Sequence, residues 1–128
     1  MKTPIIYLTA NDLYNINEEV TGMLPYVRDR HLLLSAVKRP QLSLFDEPQF
    51  PTLHDKAAAL LESLAYHHLF ADGNKRTALR AVTLFLEVNG WRAAWSDEEE
   101  YAYILEVAQG RHTVQDIAAW LRAHTAPR

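Results

Sequence analysis

Residues 67–78, with the sequence HHLFADGNKRTA, form a polar junction between two segments of helical periodicity. The junction combines imidazoles, a carboxylate, a glycine, an amide and two adjacent cations. Apolar residues recur at three- and four-residue spacing before it, from 53 to 64, and after it, from 79 to 88, as in amphipathic helices. The later segment leaves little polar surface, which predicts a central, buried helix. The pattern therefore indicates a helical protein whose chemically capable residues lie at one helix–helix junction.

Capping signals predict where most of the helices begin. Four starts show a Ser or Thr three residues before an acidic residue, which is the pattern of a capping box. These residues are Thr9, Thr52, Ser96 and Thr113. Residues that end helices follow at Gly22, Pro40, Gly90 and Gly110. With a further helix at about 29–38, we expect six helices in an all-α, compact helical bundle that forms a single domain over residues 1–128.

Residues 41–51, QLSLFDEPQFP, break the helical pattern. Leu42 and Leu44 alternate with polar residues, and two prolines interrupt the segment. We expect a short extended flap or hairpin here.

Size and composition exclude several classes of function. The chain has 128 residues, 48% of them hydrophobic and 23% charged, which suits one soluble globular domain. A net charge of −3 gives no basic field for direct binding of nucleic acid. The absence of cysteine excludes thiol chemistry and fits a cytoplasmic location. The opening residues MKTPIIYLTANDL do not resemble a secretory signal, and no apolar run is long enough for a membrane span.

The predicted start of the helix at Asn74 has the properties of a phosphate-binding nest. The first N–H groups of a helix have no intrahelical partners, and the helix dipole places partial positive charge there. Gly73 allows the backbone to approach a ligand closely, and Asn74, Lys75 and Arg76 surround those N–H groups with an amide and two cations.

Two further residues of the junction add catalytic chemistry. Asp72 is suited to holding Mg²⁺ that bridges the phosphates of a nucleotide, and His68 can accept a proton near neutral pH. Together with the nest they favour phosphoryl or nucleotidyl transfer to a hydroxyl group. Each residue also has a structural interpretation: His68 as a packed histidine, Asp72 as a helix cap, and Lys75 and Arg76 as a solvated face. A transition-metal hydrolase site built from His67, His68 and Asp72 is a weaker alternative, because no third ligand stands at a recognisable spacing.

The junction resembles the signature of the Fic/Doc family, H-x-F-x-[DE]-[GA]-N-[GK]-R, which residues 68–76 match. The segments LLLSAVKRPQ and PTLHDKAAALLESL extend the resemblance to the Doc branch, the death-on-curing toxins, across nearly the whole chain. The resemblance implies the small all-α Fic/Doc fold, with the flap at 41–51 aligning the target by strand addition.

The resemblance also implies a role for each motif residue. His68 would be the general base, Phe70 would hold the loop in the core, and Asp72 would bind Mg²⁺. The remaining motif residues would bind the nucleotide phosphates: Gly73, Asn74 and Lys75 as the lining of the nest and Arg76 as a clamp.

Departures from the commoner adenylylating pattern bear on the reaction. Leu69 replaces a proline, Lys75 replaces a glycine, and Leu79 stands where a second arginine would grip the terminal phosphates. Arg80 is one residue later, rotated by about 100° around the helix. The resemblance therefore implies a Doc-like protein kinase that transfers the γ-phosphate of ATP to a Ser or Thr of a translation factor, elongation factor Tu in the Doc case. Protein adenylylation and a degenerate, non-catalytic binding module are the alternatives.

The family comparison also bears on control of the activity. No convincing inhibitory motif of the type found in many Fic proteins is present, so the resemblance implies a separate Phd-like antitoxin in a toxin–antitoxin module. Trp91 and Trp95 are candidates for its docking groove, although core packing is the expected role of at least one of them.

Overall fold

The structure is a computed structural model that describes residues 4–128. Residues 1–3, the first of the segment MKTPIIYLTANDL, lie outside the described residues. The expected all-α class and the six helices are confirmed in the part described. The helices are α1 (Ala10–Thr21), α2 (Arg30–Lys38), α3 (Leu53–Tyr66), α4 (Asn74–Val88), α5 (Asp97–Ala108) and α6 (Val114–Ala123). None of these helices has the length and apolar character needed to span a bilayer.

The predicted capping boxes are confirmed. In the first, the hydroxyl of Thr9 accepts from the N–H of Asp12 at 3.1 Å, and the carboxylate of Asp12 accepts from the N–H of Thr9 at 2.8 Å. The same reciprocal pair begins α3, α5 and α6. Each box satisfies two N–H groups that a helix start would otherwise leave open, so these boundaries follow from local sequence.

Helix α3 forms the centre of the bundle and packs against α2, α4, α5 and α6. Ten of its 14 residues are buried, against six of 15 in α4. The prediction that the helix after the junction is the central one is therefore wrong. The three consecutive alanines at 57–59 let neighbouring helices approach α3 closely, whereas the charged residues Lys75, Arg76 and Arg80 keep one face of α4 in solvent.

Residues 41–51 contain the expected hairpin. Strand β1 (Ser43–Leu44) pairs antiparallel with β2 (Glu47–Pro48). The two turn residues, Phe45 and Asp46, both have positive φ, 51° and 65°, and Phe45 is 92% exposed. The ammonium group of the buried Lys56 in α3 donates to the carbonyls of Pro40 and Phe50, and so ties both ends of the hairpin segment to the core.

A second hairpin was not predicted. Strand β3 (Trp91–Ala93) pairs with β4 (Thr125–Pro127), and the ring of His54 in α3 lies 2.9 Å from the hydroxyl of Thr125 and edge-on against Trp91. The two strands are more than 30 residues apart and three residues long, so neither shows a readable alternation. The contact fixes the C-terminal residues against α3.

The two tryptophans considered for an antitoxin groove both pack against the hydrophobic core. Trp91 contacts His54. The rings of Trp95 and Trp120 lie 5.3 Å apart at an angle of 38°, and the indole N–H of Trp95 donates to Glu100 at 3.0 Å. Core packing therefore accounts for both side chains.

Candidate active site

The loop between α3 and α4 begins by turning out of the helix. Tyr66 is the last residue of α3, and His67 has extended backbone angles, φ −91° and ψ 143°. His68 therefore lies beyond the end of α3, and its side chain is exposed and not packed in the core. The next two side chains, Leu69 and Phe70, turn inward and are each 1% exposed. The position of Phe70 is the one proposed for a residue that holds the loop in the core.

Backbone pairing fixes the same loop to the connection between α1 and α2. The N–H of Arg28 donates to the carbonyl of Leu69 at 2.8 Å, and the N–H of Ala71 donates to the carbonyl of Tyr26 at 3.0 Å. These bonds flank an antiparallel bridge between Val27 and Phe70. The loop is thus paired like a short strand, although its sequence carries no strand signal.

The side chain of Asn74 closes the loop internally. Its Oδ1 accepts from the N–H of Phe70 at 3.0 Å, and its Nδ2 donates to the carbonyl of Phe70 at 2.8 Å. The carboxamide of Asn74, which the sequence suggested as part of the nest, is therefore hydrogen-bonded to the loop. Only the backbone N–H of Asn74 is left as a candidate for anion binding.

Asn17 in α1 is a site residue that sequence reasoning missed. It is 2% exposed, and its Nδ2 donates to the carbonyl of Asp72 at 2.8 Å and to the hydroxyl of Thr77 at 3.0 Å. The available signal was an amide directly after Ile16 on the apolar face of α1, where a polar residue needs a partner.

Gly73 provides the tight turn that begins α4. Its φ is 74°, and a Cβ at this position would lie 2.6 Å from Cγ2 of Thr21. Both the left-handed backbone and the close approach of α1 require glycine. Its N–H donates to Oδ1 of Asp72 at 2.8 Å, which leaves the other carboxylate oxygen available.

The start of α4 is open to ligands. Within the described residues, no side chain caps this helix, so the N–H groups of Asn74, Lys75 and Arg76 have neither a cap nor an intrahelical acceptor. Lys75 and Arg76 are exposed beside them, and Nη1 of Arg76 donates to the carbonyl of Val20 at the end of α1, at 2.6 Å. This contact orients the guanidinium and leaves its other N–H donors for a phosphate.

These groups line a cleft of about 400 Å³ between α4 and α5. One side consists of the predicted residues 72–76 together with Leu79, and the other consists of Glu100, Tyr101, Ile104 and Leu105. The structure thus brings five of the predicted site residues to one cleft and adds four from α5. His68 does not line the cleft, and His67 lines a separate groove with Arg39 and Leu42 at the base of the hairpin.

The donor set fits magnesium held through phosphates rather than a transition metal. Among residues 4–128 no three His, Cys, Asp or Glu side chains come together as a metal site, so the alternative built from His67, His68 and Asp72 is wrong. Asp72 is exposed at the mouth of the nest with one free oxygen. Mg²⁺ in nucleotide sites takes one or two carboxylates, with phosphates and waters completing the shell.

The site and fold are those of a known class. Residues 7–86, more than half of the chain, match the Fic/DOC family, and the chain belongs to that family. It is 41% identical over 122 residues to Toxin Doc of Mycolicibacterium smegmatis, with 94% of each chain covered. It is also 32% identical over 111 residues to Protein kinase doc of Escherichia phage P1, with 86% of each chain covered. The expected membership is confirmed.

Proposed function

We propose that this chain is the toxin of a toxin–antitoxin module and acts as a protein kinase, transferring the γ-phosphate of ATP to a Ser or Thr hydroxyl of a translation factor such as elongation factor Tu. The observation that carries the proposal is the open start of α4, where uncapped N–H groups, Lys75 and Arg76 surround one end of a cleft beside Asp72. Such an arrangement suits a polyphosphate.

In the proposed reaction the target hydroxyl attacks the γ-phosphorus. The imidazole of His68 takes the hydroxyl proton, the new P–O bond forms, and the bond from the γ-phosphorus to the bridging oxygen of the β-phosphate breaks, so that ADP leaves. The N–H groups of α4 and the side chains of Lys75 and Arg76 hold the phosphates while their charge redistributes. Mg²⁺ held by Asp72 would supply further neutralisation of the phosphate oxygens.

The placement of His68 suits an entry of donor and target from different sides. The phosphate cleft lies toward α5, whereas the groove lined by the neighbouring His67 runs along α2, α3 and the base of the hairpin. His68 is exposed and lines neither the cleft nor the groove. In sequence it lies between His67, which lines the groove, and Asp72, which lines the cleft. A protein segment aligned on the hairpin would pass the groove that His67, the neighbour of His68, lines.

Adenylylation is the second candidate, and one observation favours it. Arg80 lies four residues after Arg76, on the same face of α4, and lines a groove that shares Arg76, Leu79 and Glu100 with the cleft. Its contact with Glu19 is long, 3.8 Å, and exposed, so the guanidinium is available for terminal phosphates. Against this, the relative from phage P1 is named a protein kinase, and Leu79 holds the position of the arginine found in adenylylating members.

A labelling experiment separates the two reactions. The protein is incubated with Mg²⁺, elongation factor Tu and ATP labelled at either the α or the γ position. We expect label on the target only from the γ position. Label only from the α position would establish the adenylyltransferase instead, and no label from either would reject this target.

The toxin would act in the cytoplasm, where translation factors are found, and a Phd-like antitoxin would inhibit it there. Expression without an antitoxin should arrest growth, and the His68→Ala variant should not. Arrest that survives His68→Ala would favour a non-catalytic binding module.

A further inference from the structure

The peptide group between Asp72 and Gly73, called the 72–73 peptide below, is held at both of its polar ends. Its carbonyl accepts from Nδ2 of Asn17 at 2.8 Å, and its N–H, which belongs to Gly73, donates to Oδ1 of Asp72 at 2.8 Å. The two bonds point in opposite directions, because the C=O and N–H of a trans peptide do. The first bond reaches back to α1, and the second fixes the carboxylate that is proposed to hold Mg²⁺.

Glycine makes the orientation of the 72–73 peptide easy to reverse. Such a reversal rotates the peptide plane and changes chiefly ψ of Asp72 and φ of Gly73. Gly73 has φ of 74°, and a glycine adopts negative values of φ about as readily as positive ones. The backbone of residue 73 therefore does not select the observed orientation by itself, and the hydrogen bonds to the 72–73 peptide must select it.

The reversed orientation would disturb the carboxylate of Asp72. The carbonyl oxygen of the 72–73 peptide would then point where the N–H of Gly73 points now, toward Oδ1 of Asp72. Two acceptors would face each other, and the carboxylate would lose the donor that fixes it beside the start of α4. The orientation of the 72–73 peptide therefore decides where Asp72 presents its oxygens.

The side chain of Asn17 is placed to keep this orientation. It is 2% exposed, and the Nδ2 that donates to Asp72 also donates to the hydroxyl of Thr77 at 3.0 Å. The amide lies against the glycine itself, since a Cβ at Gly73 would be 3.3 Å from Nδ2. Reversal of the 72–73 peptide would leave a buried N–H of Asn17 without its acceptor, which costs the desolvation of that group.

We propose that Asn17 is a positioning residue that holds the 72–73 peptide in its observed orientation and so keeps the carboxylate of Asp72 in place for Mg²⁺. It acts through Asp72 and would not itself contact the metal or the nucleotide. Partners that orient a metal ligand in this way contribute strongly to metal affinity. This inference rests on the proposed function, in which Asp72 holds the metal.

Nucleotide binding with and without magnesium tests the role of Asn17. Dissociation constants of ATP are measured by calorimetry for the full chain, once with Mg²⁺ and once with EDTA. Asn17→Ala should weaken binding with Mg²⁺ about tenfold and leave binding with EDTA unchanged, because only the metal ligand is displaced. Asp72→Ala should also weaken binding with Mg²⁺. Adding Asn17→Ala to Asp72→Ala should weaken it no further, because Asn17 acts through that carboxylate.

Thr77→Val is the matched control, and the amide of Gly73 supplies a second measurement. Thr77→Val removes the other acceptor of Nδ2 in the same buried pocket but leaves the bond to Asp72. It should lower thermal stability and keep both affinities. In ¹⁵N relaxation dispersion, the Gly73 amide should gain exchange on the microsecond-to-millisecond timescale in Asn17→Ala but not in Thr77→Val. Gly110, with φ of 75°, is the internal reference and should not change.

The outcomes separate this inference from the function on which it rests. If the wild type binds ATP under neither condition, the phosphate site fails. If it binds ATP no better with Mg²⁺ than with EDTA, the metal role of Asp72 fails. The role of Asn17 fails with either of them.

Other outcomes overturn the role of Asn17 alone and leave the magnesium site standing. These are wild-type binding of Mg-ATP by Asn17→Ala, an equal loss in Thr77→Val, a further loss in the double variant, and a Gly73 amide without exchange in Asn17→Ala. Thermal unfolding shows whether each variant is folded. Asn17→Leu, which fills the buried position but cannot donate, takes the place of Asn17→Ala if the smaller side chain prevents folding.

Discussion

The carboxamide of Asn74 binds both backbone polar groups of Phe70, with its oxygen 3.0 Å from the N–H and its nitrogen 2.8 Å from the carbonyl oxygen. Asn74, which the motif suggests as a phosphate ligand, thus uses its side chain to hold the loop in place. The backbone N–H of Asn74 remains at the open start of α4. The side chain of Asn74 therefore holds the loop, and its main-chain N–H is left for the proposed phosphate nest.

Asn74→Ala should lower the free energy of unfolding by about 1–3 kcal/mol, because two partly buried backbone groups of Phe70 lose their partner. Transfer activity should also fall, since the loop carries both His68 and Asp72. Urea unfolding measures the first effect, and Asn15→Ala, at an exposed position of α1, is the control. Wild-type stability with weakened nucleotide binding would instead indicate that the carboxamide contacts phosphate.

His68→Ala should reduce phosphoryl transfer by at least about 100-fold, the effect of removing a general base. The side chain is exposed, so the melting temperature should not change. His31→Ala, at an exposed position on α2, is the matched control and should retain full activity. A His68→Ala protein that transfers phosphate at the wild-type rate would remove this imidazole from the reaction.

Two glycines with the same backbone conformation allow strain and crowding to be separated. Gly22 and Gly73 have φ of 73° and 74°, but a Cβ at Gly22 meets nothing within 4 Å, whereas one at Gly73 meets Thr21 Cγ2 at 2.6 Å. Gly22→Ala should cost only the left-handed strain, about 1 kcal/mol. Gly73→Ala should cost about 1–3 kcal/mol more, because α1 must move away.

Relief of the crowding supplies the internal check on Gly73. Thr21→Ser removes the methyl group but keeps the hydroxyl that donates to the carbonyl of Asn17. Introduced together with Gly73→Ala, it should restore part of the lost stability. Equal losses for Gly22→Ala and Gly73→Ala in chemical unfolding would show that the contact with Thr21 is not restrictive.

The turn of the hairpin is a further strained position. Type I′ turns need positive φ at both central residues, which Asn-Gly adopts readily and Phe45-Asp46 does not. Phe45→Asn combined with Asp46→Gly should therefore stabilise the hairpin by about 1–2 kcal/mol. The N–H of Gln49, which donates to the carbonyl of Leu42 at 2.9 Å, should then exchange about 5–30 times more slowly. Glu47→Gln leaves the turn intact and should not change the rate; unchanged exchange in the double variant would argue against strain.

The sequence predicts those features that a few neighbouring residues determine. The box of Thr9 and Asp12 and the left-handed stop at Gly22 each involve contacts within five residues, and both are confirmed. The polar residues of the loop at 67–78 are also close neighbours in sequence, so their placement at the start of α4 could be predicted.

Features that depend on distant partners could not be predicted. Asn17 reaches Asp72 across 55 residues, and strand β3 finds β4 only after α5 and α6 are in place. The α5 wall of the cleft is of the same kind, because Tyr101 belongs to an acidic helix start whose sequence gives no sign that it faces the start of α4 across a cleft. The wrong prediction that α4 is the central helix has a similar origin. The alanines at 57–59 are weak hydrophobic signals, but their small side chains allow close helix packing.

His54 should make the stability of the protein sensitive to mild acid. Burial lowers its pKa below the ordinary histidine value, and the guanidinium of Arg122 lowers it further, whereas the carboxylate of Asp55 acts in the opposite direction. The hydroxyl of Thr125 already donates to the carbonyl of Leu121, so the ring nitrogen 2.9 Å away must be the donor to it. Nε2 of His54 therefore carries a proton, and the lowered pKa of the ring favours its neutral form in the folded state.

In the unfolded chain this histidine takes up a second proton near pH 6.5, which the folded protein resists. The unfolded state then binds more protons, so stability falls as the pH drops below about 6.5, by at most about 1.4 kcal/mol per pH unit for one group. His54→Gln keeps a donor for Thr125 but cannot titrate. It should reduce the pH dependence of the free energy of unfolding between about pH 7 and 5, whereas His31→Gln, on the exposed face of α2, should not. Identical slopes for the wild type and His54→Gln would show that the buried imidazole is not linked to folding.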